Sequence, residues 1–294
     1  FKNDYAWNRN ANLLIMTGTA PVGYAYCESP GPNATDCGQW NVTTTAEGNL
    51  AFLEGFYNKF KRFRTNQNKL YLSGESYAGV YVPQLAELIM NSTSDLKNYL
   101  SGTAVGNGCH GKSISCGRRA DNPNYFLAKV EFYYGHGQVS RELYQGINDN
   151  NCKYVPVGKD TTPECKKVVR DIMDHVTLGR WEYGLYSECH WGSNTTLPGY
   201  SSYPCPGGAG KTWVENEHVR KALHVKTGVP FQVGVPYVNT FEDVTPVYKR
   251  FMSNPKLKTL VYVGDTDTTL NLNLQQWWIS TLGLTIKNNN TTLN

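Results

Sequence analysis

One serine in this chain has the neighbours that a nucleophile needs. Ser76 lies in the hexapeptide GESYAG (74–79), between a short apolar run at 69–73 and a helix-forming run at 80–90. A serine in a sharp turn between a buried strand and a helix is lifted clear of the sheet edge, and small residues beside it prevent clashes. The string alone is weak evidence, because Ser and Gly are common. The strand, turn and helix around it favour a nucleophile over an ordinary turn serine.

Two carboxylates follow a second apolar run. Asp265 and Asp267 come directly after the strand-like segment 257–263 and Gly264. The carboxyl ends of strands in open α/β sheets are where sites assemble, and one acid there can orient an imidazole and stabilise its charged form. We expect Asp267 to turn toward the serine and Asp265 to cap the turn. A turn cap is also the alternative interpretation of Asp267.

A histidine would complete this set, because the order Ser, then Asp, then His is that of the α/β-hydrolases. No histidine follows Asp267. We expect all six to be structural or solvated: His110, His136, His175, His190, His218 and His224. Deleting the histidine from a comparable triad lowers turnover by roughly 10⁶. The chain by itself is therefore expected to be nearly inactive.

The composition of the chain argues against two classes of protein, nucleic-acid-binding proteins and membrane-spanning proteins. The 294 residues are 40% hydrophobic and 18% charged, which is typical of one globular domain with room for an insertion. The net charge of +4 comes without a basic run interleaved with aromatics, so a nucleic-acid partner is not expected. No apolar stretch approaches the roughly 20 residues of a membrane span. Phe1 begins neither a charged nor an apolar leader, so a secreted form is expected to have lost its signal.

Cysteines and glycosylation sequons indicate the compartment. The chain has eight cysteines without a C-x-x-C pair, together with six N-x-S/T sequons, which favours an oxidising secretory route over free thiols. A zinc site at Cys109-His110 or Cys189-His190 is less favoured, because adjacent residues project apart. Eight cysteines allow 105 pairings, and short loops favour Cys27–Cys37 and Cys109–Cys116. The sequons are at Asn33, Asn41, Asn91, Asn194, Asn289 and Asn290.

The elements that must position these residues alternate between strand and helix. We predict strands at 12–16, 69–73, 100–105 and 257–263, helices at 43–64, 80–90, 216–225 and 272–282, and a polar tail at 288–294. This pattern predicts an α/β fold with a mostly parallel sheet covered by helices on both faces. Three parts are expected: a first core part (1–108), a Cys-rich cap insertion (109–210) and a second core part (211–294).

Several motifs together resemble one family. GESYAG is followed by YVPQLA at 81–86, and the chain also contains YAWN at 5–8, VGNG at 105–108, HVRKALH at 218–224 and YVGDTD at 262–267. This set is similar to the signature of the serine carboxypeptidases. The likeness covers nearly the whole chain, less securely in the insertion.

The resemblance implies an α/β-hydrolase fold and removal of C-terminal residues from peptides at acidic pH, in a lysosome, a vacuole or a secreted fluid. It implies that Ser76 is the nucleophile and that Asp267 orients the histidine. It also implies that the N–H of Tyr77 is one oxyanion donor, and that Glu75 holds the peptide's terminal carboxylate through a shared proton. Acidic pH supplies that proton, because two adjacent carboxyls cannot both stay ionised. No cofactor or metal ion is expected.

The chain departs from the family pattern in three places. The Gly-rich segment of the family would lie upstream of Phe1, and its histidine segment downstream of Asn294. In the loop 17–23, Thr17 and Thr19 occupy the positions of the family's acid and proline. Three readings follow: a carboxypeptidase whose histidine comes from another segment or a second chain, an inactive binding or structural subunit, or an acyltransferase.

Overall fold

The computed structural model describes residues 3–28, 37–65, 68–116, 122–176, 182–186, 207–229, 231–232, 234–238, 240, 243–288 and 291–293. In chain order the elements are β1 (Trp40–Asn41), α1 (Val42–Lys59), β2 (Leu70–Glu75), α2 (Ala78–Asn91), β3 (Leu100–Gly106), α3 (Pro123–Gly135), α4 (Arg141–Asp149), α5 (Pro163–Val176), α6 (Gly207–Glu215), α7 (Glu217–Ala222), β4 (Tyr237–Val238), α8 (Thr245–Met252), β5 (Lys258–Tyr262), α9 (Leu272–Thr281), β6 (Ile286–Asn288) and β7 (Thr291–Leu293). None of the described helices is both long enough and apolar enough to cross a membrane.

A three-stranded parallel sheet in the order β2-β3-β5 organises the core. Glu75 pairs with Gly106, and Gly106 pairs with Tyr262. The three strands therefore end level with one another, and the loops that leave them meet at one edge of the sheet. Parallel strands need crossover connections, and here α2 makes the first one, between β2 and β3.

Helices cover the face of the sheet that carries Leu72 and Val105. These side chains share a hydrophobic cluster with Leu85 and Ile89 of α2, Leu53 of α1, and residues of α8. The side chain of Asn41 caps α1 by accepting from the Thr44 N–H, while the Thr44 hydroxyl accepts from the Asn41 N–H. The predicted α/β architecture, a parallel sheet packed against helices, is confirmed. We predicted helices on both faces, and in the described part of the chain they cover this face, whereas Tyr71 and Leu260 on the other face are exposed.

The face of the sheet opposite to Leu72 and Val105 carries the ring of Tyr262 and the exposed side chain of Leu260. The ring of Tyr262 lies over Gly106, where an added Cβ would come within 2.5 Å of the ring. A larger residue at this point of β3 would therefore displace the Tyr262 ring. Among the described residues, Leu260 on the same face keeps 56% of its surface exposed.

The predicted strand at 12–16 is wrong. These residues form no regular element and pair with no strand in the described part of the chain, and Ile15 is 77% exposed. A short apolar run is compatible with a strand, but a segment becomes a strand only when its backbone forms hydrogen bonds with a neighbouring strand. No such neighbour flanks this segment among the described residues.

Other boundaries differ from prediction in smaller ways. The helix predicted at 43–64 ends at Lys59 and is followed by a 3-10 turn, Lys61–Phe63. The helix predicted at 216–225 is the shorter α7, preceded by α6. The predicted polar tail contains β7, which pairs antiparallel with β6 just before the tail.

In the described part of the predicted insertion, α3, α4 and α5 share a hydrophobic cluster of their own. Leu127 and Val130 of α3 pack with Ile147 of α4 and with Val169 and Ile172 of α5. Both predicted disulfides, Cys27–Cys37 and Cys109–Cys116, are present, and Cys152–Cys165 forms a third. Cys189 and Cys205 lie outside the described residues.

Candidate active site

Ser76 adopts a left-handed backbone conformation between β2 and α2, with φ of 59°. Its N–H donates to the Gly106 carbonyl at 3.1 Å, and its own carbonyl accepts from the N–H groups of Gly79 (2.9 Å) and Cys109 (2.8 Å). A non-glycine residue at positive φ is strained, and the strain persists only where surrounding contacts enforce it. The turn is therefore fixed on both sides and places a half-buried serine at the sheet edge.

Small residues around the serine are required, as the sequence predicts. A Cβ on Gly74 would overlap that of Ala78, and a Cβ on Gly79 would overlap the backbone of Cys109. The second overlap involves backbone atoms, which cannot move aside as a flexible side chain can. The glycines thus allow α2 to approach the end of β3 closely.

Asp267 lies in the loop after β5 and uses both carboxylate oxygens. Oδ1 accepts from the N–H groups of Thr269 (2.7 Å) and Leu270 (3.2 Å), and Oδ2 accepts from the side-chain amide of Asn107 at 3.1 Å. Asp267 thus caps the turn and also makes a contact across the sheet edge. Asp265, which we expected to cap the turn, is exposed and makes no side-chain hydrogen bond with a described residue. That prediction is wrong.

Asn107 connects the two parts of the site, and sequence reasoning did not select it. It follows β3, has φ of 41°, and its N–H donates to the Tyr262 carbonyl at 3.0 Å. Its side-chain oxygen accepts from the Gly264 N–H at 3.0 Å, and its amide also reaches the Leu270 carbonyl at 3.3 Å. The sequence could have indicated Asn107, because it directly follows a predicted strand and so lies at the sheet edge where the serine and the acid were expected.

The relation of Ser76 to Asp267 follows from the strand order. Their strands, β2 and β5, flank β3, so the two chain ends are about 10 Å apart at the usual spacing of parallel strands. Two hydrogen bonds of about 2.8 Å and one imidazole ring can bridge such a separation. The structure therefore brings both predicted residues to the same edge of the sheet.

Glu75 is the last residue of β2 and immediately precedes the serine. Glu75 is exposed, but the protein atoms around its carboxyl displace part of its hydration, which raises its pKa above the ordinary value, and the negative charge of Asp267 raises it further. A carboxyl in this position keeps its proton to a higher pH than an isolated glutamate. It can then donate a hydrogen bond to another carboxylate.

The backbone N–H and the phenol ring of Tyr77 have different environments. Its N–H precedes the first turn of α2, where amides have no acceptor within the helix. Its ring packs edge-to-face against Tyr81 and Tyr237, and burial raises the pKa of its phenol to about 12. The phenol is therefore neutral and structural, while the N–H is available to a ligand.

Residues 182–185, here called the insertion segment, bind the loop that carries Asp267. The Glu182 carbonyl accepts from the N–H of Thr268 (3.1 Å) and from its hydroxyl (2.8 Å). The N–H of Leu185 donates to the Thr266 carbonyl at 2.8 Å. These bonds hold the loop on both sides of Asp267, and sequence reasoning did not predict them.

Two side chains extend this contact. Lys129 of α3, which is only 4% exposed, lies 3.9 Å from the Glu182 carboxylate. Burial raises the pKa of Tyr183, and the charges of Glu182, Asp267 and Glu75 raise it further. Tyr183 therefore lies near both site carboxylates, so the insertion contributes to the surroundings of the site.

None of the five described histidines hydrogen-bonds to Asp267. His110 is buried and stacks on Trp278 with ring centroids 3.3 Å apart, and its Nε2 contacts the Gln275 amide oxygen at 2.7 Å. Nδ1 of His136 contacts the Phe132 carbonyl, and His175, His218 and His224 are exposed. His190 lies outside the described residues. The described histidines are thus structural or solvated, in agreement with the sequence analysis.

Two of the six predicted glycosylation asparagines can be located. Asn41 is the N-cap of α1, and Asn91 is exposed at the last position of α2. Asn33, Asn194, Asn289 and Asn290 lie outside the described residues.

Comparisons with known proteins agree on one family. A family model described as serine carboxypeptidase matches residues 1–294. Serine carboxypeptidase ctsa-4.1 of Caenorhabditis elegans is 29% identical over 97% of this chain and 63% of its own length. The lysosomal protective protein of Mus musculus is 28% identical over 95% of this chain and 64% of its own length. The chain thus spans somewhat less than two thirds of these relatives.

A solved structure supports the fold. A prohormone-processing carboxypeptidase from Saccharomyces cerevisiae matches with a TM-score of 0.52 and 19% identity, over 83% of this chain and 53% of that one. At this identity the match is evidence for the fold alone, and it confirms the predicted α/β-hydrolase fold.

Proposed function

Because the chain belongs to the serine carboxypeptidase family, we propose that it provides the nucleophile and the acid of a serine-type carboxypeptidase. The substrate is a peptide, and the product is its released C-terminal residue. The observation that carries this proposal is the strained turn at Ser76, which one intervening strand, β3, separates from the Asp267 carboxylate held by Asn107.

The chemistry divides among four groups. Ser76 Oγ attacks the last peptide carbonyl and passes its proton to an imidazole, while Asp267 stabilises the imidazolium. The N–H of Tyr77 donates to the oxygen that becomes negative in the tetrahedral intermediate. The imidazolium then protonates the leaving amine as the C–N bond breaks, and water hydrolyses the acyl-enzyme by the reverse sequence.

Glu75 accounts for the restriction to C-terminal residues. Its raised pKa favours a protonated carboxyl, which can donate to the terminal carboxylate of a bound peptide. An ionised Glu75 would repel that carboxylate. Binding should therefore be strongest at acidic pH.

The imidazole is the component that the described residues do not supply. We propose that it comes from another segment of the same polypeptide or from a second chain. The intact mass of the natural protein, measured before and after reduction, distinguishes these sources, because a disulfide-linked second chain separates only after reduction.

We also propose that the protein works in the secretory pathway or in a lysosome, a vacuole or the extracellular fluid. Three disulfides favour an oxidising route. Asn91 is exposed within its sequon, so its side chain is accessible for glycosylation. One relative carries a lysosomal name.

The proposal is tested by assaying the natural protein at pH 5 with an N-blocked dipeptide. We expect release of the C-terminal amino acid, loss of that release in Ser76→Ala, and normal release in the control Ser73→Ala on the same strand. No release by the folded protein would instead indicate a binding or structural subunit. Turnover of esters with transfer to an added alcohol, without peptide hydrolysis, would indicate an acyltransferase.

A further inference from the structure

The helical insertion contains a cavity of about 320 Å³ between α3 and α5. Its interior is formed by Phe126 and Leu127 of α3 and by Val169 and Met173 of α5. All four belong to the hydrophobic cluster of the insertion. The cavity is therefore an apolar recess in that cluster, with a size at the lower end of small-molecule sites.

The rim of the cavity is cationic. It carries Lys153, Lys166 and Arg170 but only one acid, Asp160, which forms an ion pair with Lys166. Lys153 and Arg170 make no ion pair or side-chain hydrogen bond with any residue that the structure describes. Two positive charges thus lie unpaired beside an apolar recess, so the rim suits an anion.

The wall that carries Lys153 and Asp160 is held in place before any ligand binds. The disulfide Cys152–Cys165 ties it to α5. Asn124 of α3 exchanges two hydrogen bonds with the backbone of Val155, each of 2.8 Å. A preformed site loses little conformational freedom on binding.

We propose that this cavity binds a free medium-chain fatty acid, with the alkyl chain on the apolar side chains and the carboxylate between Lys153 and Arg170. About ten carbons, each taking roughly the 30 Å³ of a water molecule, fill the volume. The site lies on the insertion helices rather than on the β2-β3-β5 edge, so it is separate from the proposed peptidase function.

Calorimetric titration of the folded protein with hexanoate, octanoate and decanoate tests the proposal. Affinity should rise about fourfold for each added methylene, which is the value of burying one. Binding should saturate at one molecule per chain, and Ser76→Ala should bind equally well. Decyltrimethylammonium, with the same chain length and the opposite charge, should bind at least tenfold more weakly than decanoate.

The location is tested by charge reversal and by NMR. Lys153→Glu with Arg170→Glu should weaken decanoate binding at least tenfold. The matched control, Lys61→Glu with Lys256→Glu, changes the net charge equally at remote exposed sites and should have no effect. With ¹³C-methyl methionine, decanoate should shift the signal of Met173 and not those of Met16, Met90 and Met252. Absence of saturable binding, equal binding of the cationic amphiphile, or an unshifted Met173 signal would each overturn the proposal.

Discussion

The side-chain amide of Asn107 donates to Oδ2 of Asp267 at 3.1 Å, across the end of the sheet. Asn107 follows β3. In the sheet β3 lies between β2, which leads to Ser76, and β5, which leads to Asp267. A neutral donor can hold the carboxylate in position without neutralising its charge. The alignment of the proposed acid therefore depends on a residue outside the proposed triad.

Replacing Asn107 with glycine should lower kcat by about 10- to 100-fold with little change in KM. A hydrogen bond to a charged group contributes about 1.5–3 kcal/mol, and glycine tolerates the φ of 41° at this position. Steady-state kinetics with a blocked dipeptide measures the effect. Asn151→Gly is the matched control, since Asn151 also has positive φ (49°) but lies in an exposed turn of the insertion. Equal kcat values for the two variants would contradict this role.

Replacing Glu75 with glutamine should flatten the pH dependence of KM. In the natural protein KM should rise as pH rises through the raised pKa of Glu75, because ionisation removes a donor and adds repulsion to the peptide carboxylate. Glutamine donates at every pH. KM measured from pH 4 to pH 8 tests this, with Glu47→Gln at an exposed position of α1 as the control. A KM that rises just as steeply in Glu75→Gln would rule out the proposed role.

The buried His110 should destabilise the fold in acid. Burial lowers its pKa to about 3, whereas an unfolded histidine titrates near 6.5. The unfolded state therefore takes up the proton first, so stability is complete above about pH 6.5 and is lost as pH falls toward 3. The loss reaches about 3 kcal/mol at pH 4.5.

Urea unfolding at pH 7 and pH 4.5 measures this effect. In His110→Phe the ring still stacks on Trp278, and the stability difference between the two pH values should shrink by about 2–3 kcal/mol. The absolute stability is not the readout, because the variant leaves the amide oxygen of Gln275 without its partner at both pH values. His218→Gln, at an exposed position, serves as the control. An unchanged difference in His110→Phe would show that another group causes the acid sensitivity.

Gly79→Ala should destabilise the protein by several kcal/mol and abolish activity. The added Cβ would overlap the backbone of Cys109. The close approach of α2 to the end of β3 therefore requires glycine at position 79. Gly55→Ala, in the exposed part of α1 with nothing within 4 Å of its Cβ, should stabilise by about 1 kcal/mol through helix propensity. Chemical denaturation compares the two. A Gly79→Ala protein with native stability would show that the turn tolerates a larger separation.

The secondary structure around Ser76 was predictable because the nearby sequence determines it. The strand at 69–73, the turn and the helix at 80–90 correspond to β2, Ser76-Tyr77 and α2, with boundaries shifted by one or two residues. A glycine-flanked serine after an apolar run leaves few alternative conformations. The strands at 100–105 and 257–263 were found in the same way, and their ends define the site edge.

Long-range contacts were not predictable from local pattern. The run at 12–16 has strand-like residues but no described neighbour to pair with, so periodicity alone misassigned it. The bond from Asn107 to Asp267 spans 160 residues, and that from Thr268 to Glu182 spans 86. Nothing in the sequence near Glu182 indicates that its carbonyl meets the acid loop. Such pairs depend on how the sheet orders its strands and where the insertion folds back.

The account depends most on the reactivity of one hydroxyl, and labelling tests it directly. The natural protein is treated with a fluorophosphonate at pH 5 and pH 7, digested, and mapped by mass spectrometry. We predict a single modified serine, Ser76, and loss of the label in Asp267→Ala while circular dichroism shows an unchanged fold. A folded natural protein in which Ser76 stays unmodified, or in which other serines react equally well, would contradict the assignment of Ser76 as the nucleophile.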